Sequence, residues 1–348
     1  MKLSNKAPTL KEVANAADVS LSTVSLVLSG KGKISGEIRN RVIEATSAVG
    51  YHKKGKVLKE NNKKLVGIIA TFYEEWNFTL DFTRRGLQFL EEHTLGIDCI
   101  PILIPIFKEI SRKELLNRIL FSGVEAVFSF LYEDEKIFKN LEELGIPVVI
   151  VNNENLQNQF CTVCSDNFQG TFDCAEYLIK LGHRKITFVD YPRPRLKTIV
   201  ANRYYGFKKA VEEYNLPFTP NDKITVELAD YTGLKKTLKH VFSRKGAPTA
   251  VVAHDDYMGY MVILALQEMN LKVPEDVSVI APGDALDYKK EYYPQITTFK
   301  IDNDLLAKIA VDILQNRLKN EHGNIQVLKI KQQLVERETC REISLEKK

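Results

Sequence analysis

The sequence predicts an all-α helix-turn-helix head joined to an α/β body whose parallel sheets are arranged in two lobes. Three observations point there. The chain has 348 residues, more than the ~100–200 of one typical domain. Its first fifty residues hold short, capped, amphipathic helical segments. From Leu65 onward, apolar strand-like runs alternate with amphipathic helical ones, as in parallel sheets covered by helices on both faces.

The head can be read element by element. Thr9 and Glu12 form a T-x-x-E capping box just after Pro8, which starts a first helix. Leu10, Val13, Ala14 and Ala17 recur at helical spacing and make one buried stripe. Asp18-Val19 makes the turn, and Ser20 caps a second helix. There Val24, Val27 and Leu28 share a face suited to packing on the first helix, with Leu21 falling near that face. Ser22, Ser25, Leu26 and Ser29 lie opposite. Leu26 is an apolar side chain on a hydroxyl-lined face: either a stray exposed residue or a contact for thymine methyl groups. Ser35 caps a third helix whose inward stripe is Ile38, Val42, Ala45 and Val49. Lys31, Lys33, Arg39 and Arg41 remain available for phosphates, which position a module without reading sequence.

Charge separates this head from the rest. Residues 1–64 carry 13 Lys and Arg against 5 Asp and Glu, a net +8, so the remainder carries −4 of the chain's +4. A basic head on a mildly acidic body expects a polyanion at one end only. Small helical pairs also serve as protein-interaction modules, but this excess of positive charge favours the DNA major groove.

Residues 51–64 contain six lysines and little to bury, so the segment should be poorly ordered when free. Beyond it, strands are expected at 65–70, 98–104, 124–130 and 147–151, then at 185–189, 224–228, 249–253 and 277–281. Helices are expected near 79–93, 111–121, 134–144, 169–181, 201–214, 231–242, 257–270 and 302–319. Two blocks of four strands imply two lobes rather than one very wide sheet. A ligand site is expected in the cleft between them, outside the carboxyl ends of the strands.

The head closely resembles that of lactose/galactose-repressor (LacI/GalR-type) transcription regulators. The resemblance runs through Val19-Ser-Leu-Ser-Thr-Val-Ser-Leu-Val-Leu-Ser29, then Ile34-Ser-Gly-Glu-Ile-Arg-Asn-Arg-Val-Ile-Glu-Ala45 and Gly50-Tyr51. It extends along nearly the whole chain through Asp166-Asn167, Leu178-Ile-Lys-Leu-Gly-His-Arg184, Asn202-Arg203 with Gly206-Phe207, Asp255-Asp256-Tyr-Met258, Val273-Pro-Glu-Asp-Val-Ser278, Ile296-Thr-Thr-Phe299 and Leu334-Val-Glu-Arg337.

The resemblance implies a periplasmic-binding-protein-like (type I) core with three crossovers between lobes, and a side-by-side homodimer on a pseudopalindromic operator. It implies base reading by Leu21, Ser22 and Leu26, with Thr9, Ser20, Ser25, Lys31, Lys33 and Tyr51 on the DNA backbone. Many members have Arg or His where this chain has Leu26, so its preferred operator should differ. The linker is implied to form a hinge helix that wedges Leu58, with Val57 beside it, into the minor groove. Lys53-Lys54 replace the usual Pro-Asn, and a solvated basic tether is the alternative. For the effector, a sugar or related metabolite, the resemblance implies Arg203 as the gripping residue and Asp255 where Asn is usual. The usual Asp of a Gly-Phe-Asp run is Gly283, with Asp284 one residue later as a substitute. Tyr73, Trp76 and Phe78 offer aromatic faces, or serve as core, and Arg193 and Arg195 lie on the loop after the fifth strand.

The domain limits expected are a head at 1–50, a hinge linker at 51–64 and an effector-binding and dimerisation core at 65–348. The N-lobe would comprise about 65–164 and 296–325, and the C-lobe about 165–293 and 326–340.

Other classes fit poorly. No G-x-S-x-G, G-x-x-x-x-G-K-[ST] or H-E-x-x-H pattern occurs, so no enzyme and no cofactor are expected. His254 beside Asp255 resembles an acid–base pair, but neighbours at a strand end point apart. Cys161 and Cys164 have metal or redox spacing, yet strand alternation aims them at opposite faces. Five cysteines and an N-terminus without a signal-peptide core lead us to expect a cytoplasmic protein. No apolar run reaches the ~20 residues a membrane helix needs. The rival readings are a solute-binding protein with a basic extension and an effector-independent DNA-binding protein.

Overall fold

The structure is a computed structural model. It describes residues 9–28, 34–49, 51, 63–72, 80–219, 222–227, 230–319 and 324–343. The head is three helices, α1 (Leu10–Ala17), α2 (Leu21–Leu28) and α3 (Gly36–Ala48). Thr9 caps α1 through the expected capping box, and Asp18 ends it with φ +50°. Val13, Val24, Val27 and Val42 close a small core.

The body contains two six-stranded sheets. The first is formed by β1 (Lys64–Thr71), β2 (Cys99–Ile106), β3 (Ala126–Phe130), β4 (Val148–Val151), β5 (Cys161–Ser165) and β11 (Val327–Ile330). Their order is β11-β5-β4-β3-β1-β2, and every pairing is parallel. The second contains β6 (Ile186–Asp190), β7 (Lys223–Thr225), β8 (Ala250–Ala253), β9 (Ser278–Gly283), β10 (Thr297–Lys300) and β12 (Gln333–Val335). Its order is β12-β10-β9-β8-β6-β7, with β12 alone antiparallel.

Strand alternation builds a core on both faces of each sheet. Val66, Ile68 and Ala70 of β1 enter one cluster, while Leu65 and Ile69 enter the other. On β8, Val251 and Ala253 face one way and Ala250 and Val252 the other. The covering helices in the first lobe are α4 (Leu80–Gly96), α5 (Arg112–Ser122), α6 (Glu135–Glu143) and α11 (Asn303–Lys319). In the second they are α7 (Asn167–Lys180), α8 (Lys197–Glu213), α9 (Tyr231–Phe242) and α10 (Asp256–Glu268).

The chain crosses between sheets three times: after β5, after β10 and after β11. This corrects the lobe limits. The stretch 296–325 does not lie wholly in the first lobe, because β10 pairs in parallel with β9 of the second sheet. Nor does 326–340 lie wholly in the second, because β11 pairs with β5 of the first. Three strands were not expected, β10, β11 and β12; the last spans three residues and β11 lies at an edge, while β5 holds the Cys161–Cys164 stretch already read as strand. Short edge strands leave little apolar signal. β1 also takes in Lys64, the last residue assigned to the linker.

Cys161 and Cys164 are buried and free. Cys161 Sγ lies 3.6 Å from Arg317 Nη1, whereas Cys164 Sγ lies 3.7 Å from Glu154 Oε1. They form no pair.

Gly206 fixes the approach of α8 to α7. A Cβ there would sit 2.0 Å from the Phe168 carbonyl oxygen. Gly206→Ala should therefore lower stability by about 1–3 kcal/mol, read as a drop in the thermal midpoint. An unchanged midpoint would contradict this close contact.

Candidate functional site

The exposed face of α2 is the candidate DNA reader. Val24, Val27 and Leu28 are buried against α1 and α3, leaving Ser22, Ser25 and Leu26 on the outer side. Leu26 is 39 % exposed. Leu21, placed near the core by helical spacing, is instead 49 % exposed. As the first residue of α2 it projects past the end of the helix, because helical side chains lean toward the N-terminus.

Around this face, Ser20 Oγ accepts from the Thr23 N–H at 3.1 Å, capping α2 as expected. Ser35 Oγ accepts from Ile38 at 3.4 Å. Thr9 remains exposed while its hydroxyl caps α1. Arg41, expected to be free for phosphate, donates through Nη2 to the Asp18 carbonyl at 3.2 Å. It thereby holds the turn between the two helices. Tyr51 is half-buried against the head core, which raises its phenol above the ordinary range. Lys31, Lys33, Val57, Leu58, Tyr73, Trp76 and Phe78 lie outside the described residues.

The second candidate site is the cleft between the lobes. Its walls include Phe82 and Leu131 from the first lobe and Ile199, Arg203, Asp255 and Tyr257 from the second. The floor lies at strand carboxyl ends and helix N-termini, the predicted position. Arg203 is buried, donating through Nε to Asn167 Oδ1 at 3.0 Å and through Nη1 to the His254 carbonyl at 2.8 Å. Burial pulls its guanidinium down from the usual range, against the attraction of Asp255.

Asp255 caps α10 by accepting from Met258 N–H at 2.9 Å, and its other oxygen accepts from the Tyr191 hydroxyl. Burial pushes this carboxyl up, but the fields of His254, Arg193 and Arg203 hold it below the usual range. Arg193 also stands 5.1 Å over the Tyr191 ring and lines the cleft. His254 turns away from Asp255, and its Nδ1 lies 2.8 Å from Asp190 Oδ1. The two neighbours thus form no acid–base pair.

Asp284 is a correction. Its carboxylate is taken by Arg337 Nη2 at 2.6 Å and Thr298 Oγ1 at 3.1 Å, and it does not line the cleft. The residue has φ +91°, a backbone turn that carries its side chain away from the site. Three polar residues of the cleft were not anticipated: Asn152, Asn167 and Asp256. Asn167 stood in a quoted motif but without a ligand role. Asn152 follows β4, and its place at a strand end was the available signal.

Arg85 and Arg195 each bridge the lobes. Arg85 of α4 donates to the carbonyls of Asp284, at 2.9 Å, and Ala285. Arg195 pairs with Glu109.

Fold and site together define a two-lobed ligand-binding body behind a helix-turn-helix head. Known proteins have the same two parts. The pattern of bacterial regulatory proteins of the lacI family matches residues 9–54, and a periplasmic binding protein-like domain matches residues 175–340. The chain thus joins a lacI-family DNA-binding head to a periplasmic-binding-protein-like body and is a DNA-binding transcriptional regulator. The HTH-type transcriptional repressor PurR of Photorhabdus laumondii subsp. laumondii is 28 % identical over 335 residues, covering 94 % of this chain and 96 % of that one. PurR of Edwardsiella ictaluri is 29 % identical over 340 residues, covering 94 % and 96 %.

Among solved structures, a complex of the transcriptional regulator CelR with cellobiose aligns with a TM-score of 0.68 at 22 % identity, covering 95 % of this chain and 99 % of that one. The lac repressor dimer bound to operator and the anti-inducer ONPF aligns with a TM-score of 0.67 at 20 % identity, covering 97 % and 100 %. At these identities the alignments establish the fold.

Leu26→Ala should change which duplexes the protein selects, with stability altered by no more than about 0.5 kcal/mol. Selection from a random duplex pool checks this. Equal weakening on all sequences would show that Leu26 is not a base reader.

Proposed function

We propose that the chain is a repressor that binds a pseudopalindromic operator as a homodimer and is controlled by a small molecule, a sugar or related metabolite, in the interlobe cleft. The observation that carries this is the pairing of an exposed hydroxyl-and-leucine face on α2 with a cleft built around a buried arginine. On this reading residues 1–50 are the DNA-reading head, 51–64 the hinge and 65–348 the effector-binding and dimerisation core. Leu21, Ser22 and Leu26 read bases, with Thr9, Ser20, Ser25, Lys31, Lys33 and Tyr51 on the backbone. Val57 and Leu58 enter the minor groove, and Tyr73, Trp76 and Phe78 join Arg203 and Asp255 at the effector.

The protein works as a regulator without a catalytic role or cofactor, and it acts in the cytoplasm where its DNA lies. Relatives that are transcriptional repressors support this. Effector and operator are linked reciprocally: an effector that weakens operator binding must itself bind the DNA complex less tightly.

The test is selection of duplexes by the full chain, followed by a salt titration on the selected sequence. Affinity should fall steeply, with a logarithmic slope near −0.9 per phosphate contact. Failure to enrich any sequence, or a flat salt response, would overturn the proposal in favour of a solute-binding role.

A further inference from the structure

Among the described residues three acidic side chains are buried: Glu154, Asp190 and Asp256. Two have a cation in the chain. Lys329 Nζ lies 3.8 Å from Glu154, and Lys223 Nζ lies 3.2 Å from Asp190. The partly exposed acids nearby are also balanced, Asp284 by Arg337 and Asp255 by the field of Arg193 and Arg203. Asp256 differs.

Its Oδ2 accepts from the Leu286 N–H at 2.8 Å and the Tyr288 hydroxyl at 3.1 Å, but both are neutral donors. Its Oδ1 is buried without a hydrogen-bond partner, and the residue lines the cleft. Oδ1 faces Gly283, where a Cβ would stand 3.0 Å away, and Gly283 has φ +133°. Glycine at 283, in place of the acidic residue implied there by resemblance, puts no side chain against this oxygen.

Resting on the reading of the cleft as the effector site, we propose that Asp256 receives a protonated nitrogen of the effector through Oδ1. The ligand class is then a small molecule carrying one ammonium group. A buried carboxylate oxygen with neither an ion pair nor a hydrogen bond is costly, and a ligand ammonium supplies the missing partner through a charge-assisted hydrogen bond. Leu131, Leu196 and Ile199 provide apolar wall for the ligand's carbon frame. Arg193 and Arg203 disfavour a second positive charge.

Burial raises the Asp256 carboxyl to about 6, helped by the like charges of Asp255 on α10 and Asp284 after β9. Facing it from other elements are the Tyr288 hydroxyl and, from α8, Arg203; Arg337 stands beyond the Tyr288 ring. The folded carboxyl titrates above its unfolded value. The unliganded protein therefore loses stability as pH rises from about 4 to about 6, and the ammonium site exists only above that window.

The test uses thermal melts of the full chain with n-butylammonium chloride or butan-1-ol at equal concentration, with sodium chloride matching the salt. At about pH 7.5 the ammonium should raise the wild-type midpoint by at least about 1 °C over the alcohol. That difference should vanish in Asp256→Asn, and in the wild type at about pH 4.5. Asp256→Asn without probe should melt no lower than wild type at the higher pH. Equal effects of the two probes on wild type would overturn the proposal, as would a difference that survives Asp256→Asn. If that variant does not fold, the wild-type pH series decides, and a difference persisting at low pH overturns it. Duplex binding by the same preparations separates the two readings: intact DNA binding without an ammonium effect removes the ligand class alone.

Discussion

A buried guanidinium that must stay hydrogen-bonded organises this protein. Arg203 sits in the floor of the interlobe cleft with Nε on Asn167 and Nη1 on the His254 carbonyl. Asn167 in turn donates to Glu154 at 3.2 Å, on the connection between β4 and β5. Asn202, one residue before Arg203, donates to the same carboxylate. Four segments distant in sequence thus share one polar cluster, and a buried charge left without such partners costs several kcal/mol. Close packing of α7 on α8, which Gly206 permits, brings the guanidinium within reach.

The position of that cluster gives it consequences for regulation. Asn167 opens α7 immediately after the first crossing between sheets, where Asp166 caps the helix by accepting from Gln169. On the proposed reading, a ligand that engages Arg203 acts at the junction of the lobes. Arg85 and Arg195 join the lobes at the mouth through separate contacts. The lobes are thus joined at both the floor and the rim of the cleft, far in sequence from the exposed face of α2.

Much of this was legible in the residues. The capping box at Thr9, the apolar stripes of α1 and α3 and the alternation of strand and helix all express local rules, and local rules act within a few residues. Arg203 and Asp255 were legible through motifs. What escaped depends on pairings over long distances. β10 and β11 are four-residue strands whose sheet is chosen by a neighbour far along the chain. Asp284 stood one residue from the expected acidic position, but its backbone turn and Arg337 removed it from the cleft. Asp256 looked like a neighbour of the important residue, and only the packing of β9 shows that one of its oxygens lacks a partner. Leu21 shows the limit of helical spacing at a helix end, where no adjoining element remains to cover the side chain.

The most direct measurement is a double-mutant cycle on thermal or denaturant unfolding with Arg203→Ala, Asn167→Ala and the pair. If the guanidinium and the amide act as one polar unit, the combined variant departs from the sum of the single effects by about 1 kcal/mol or more. Effects that add to within about 0.3–0.5 kcal/mol would contradict the account.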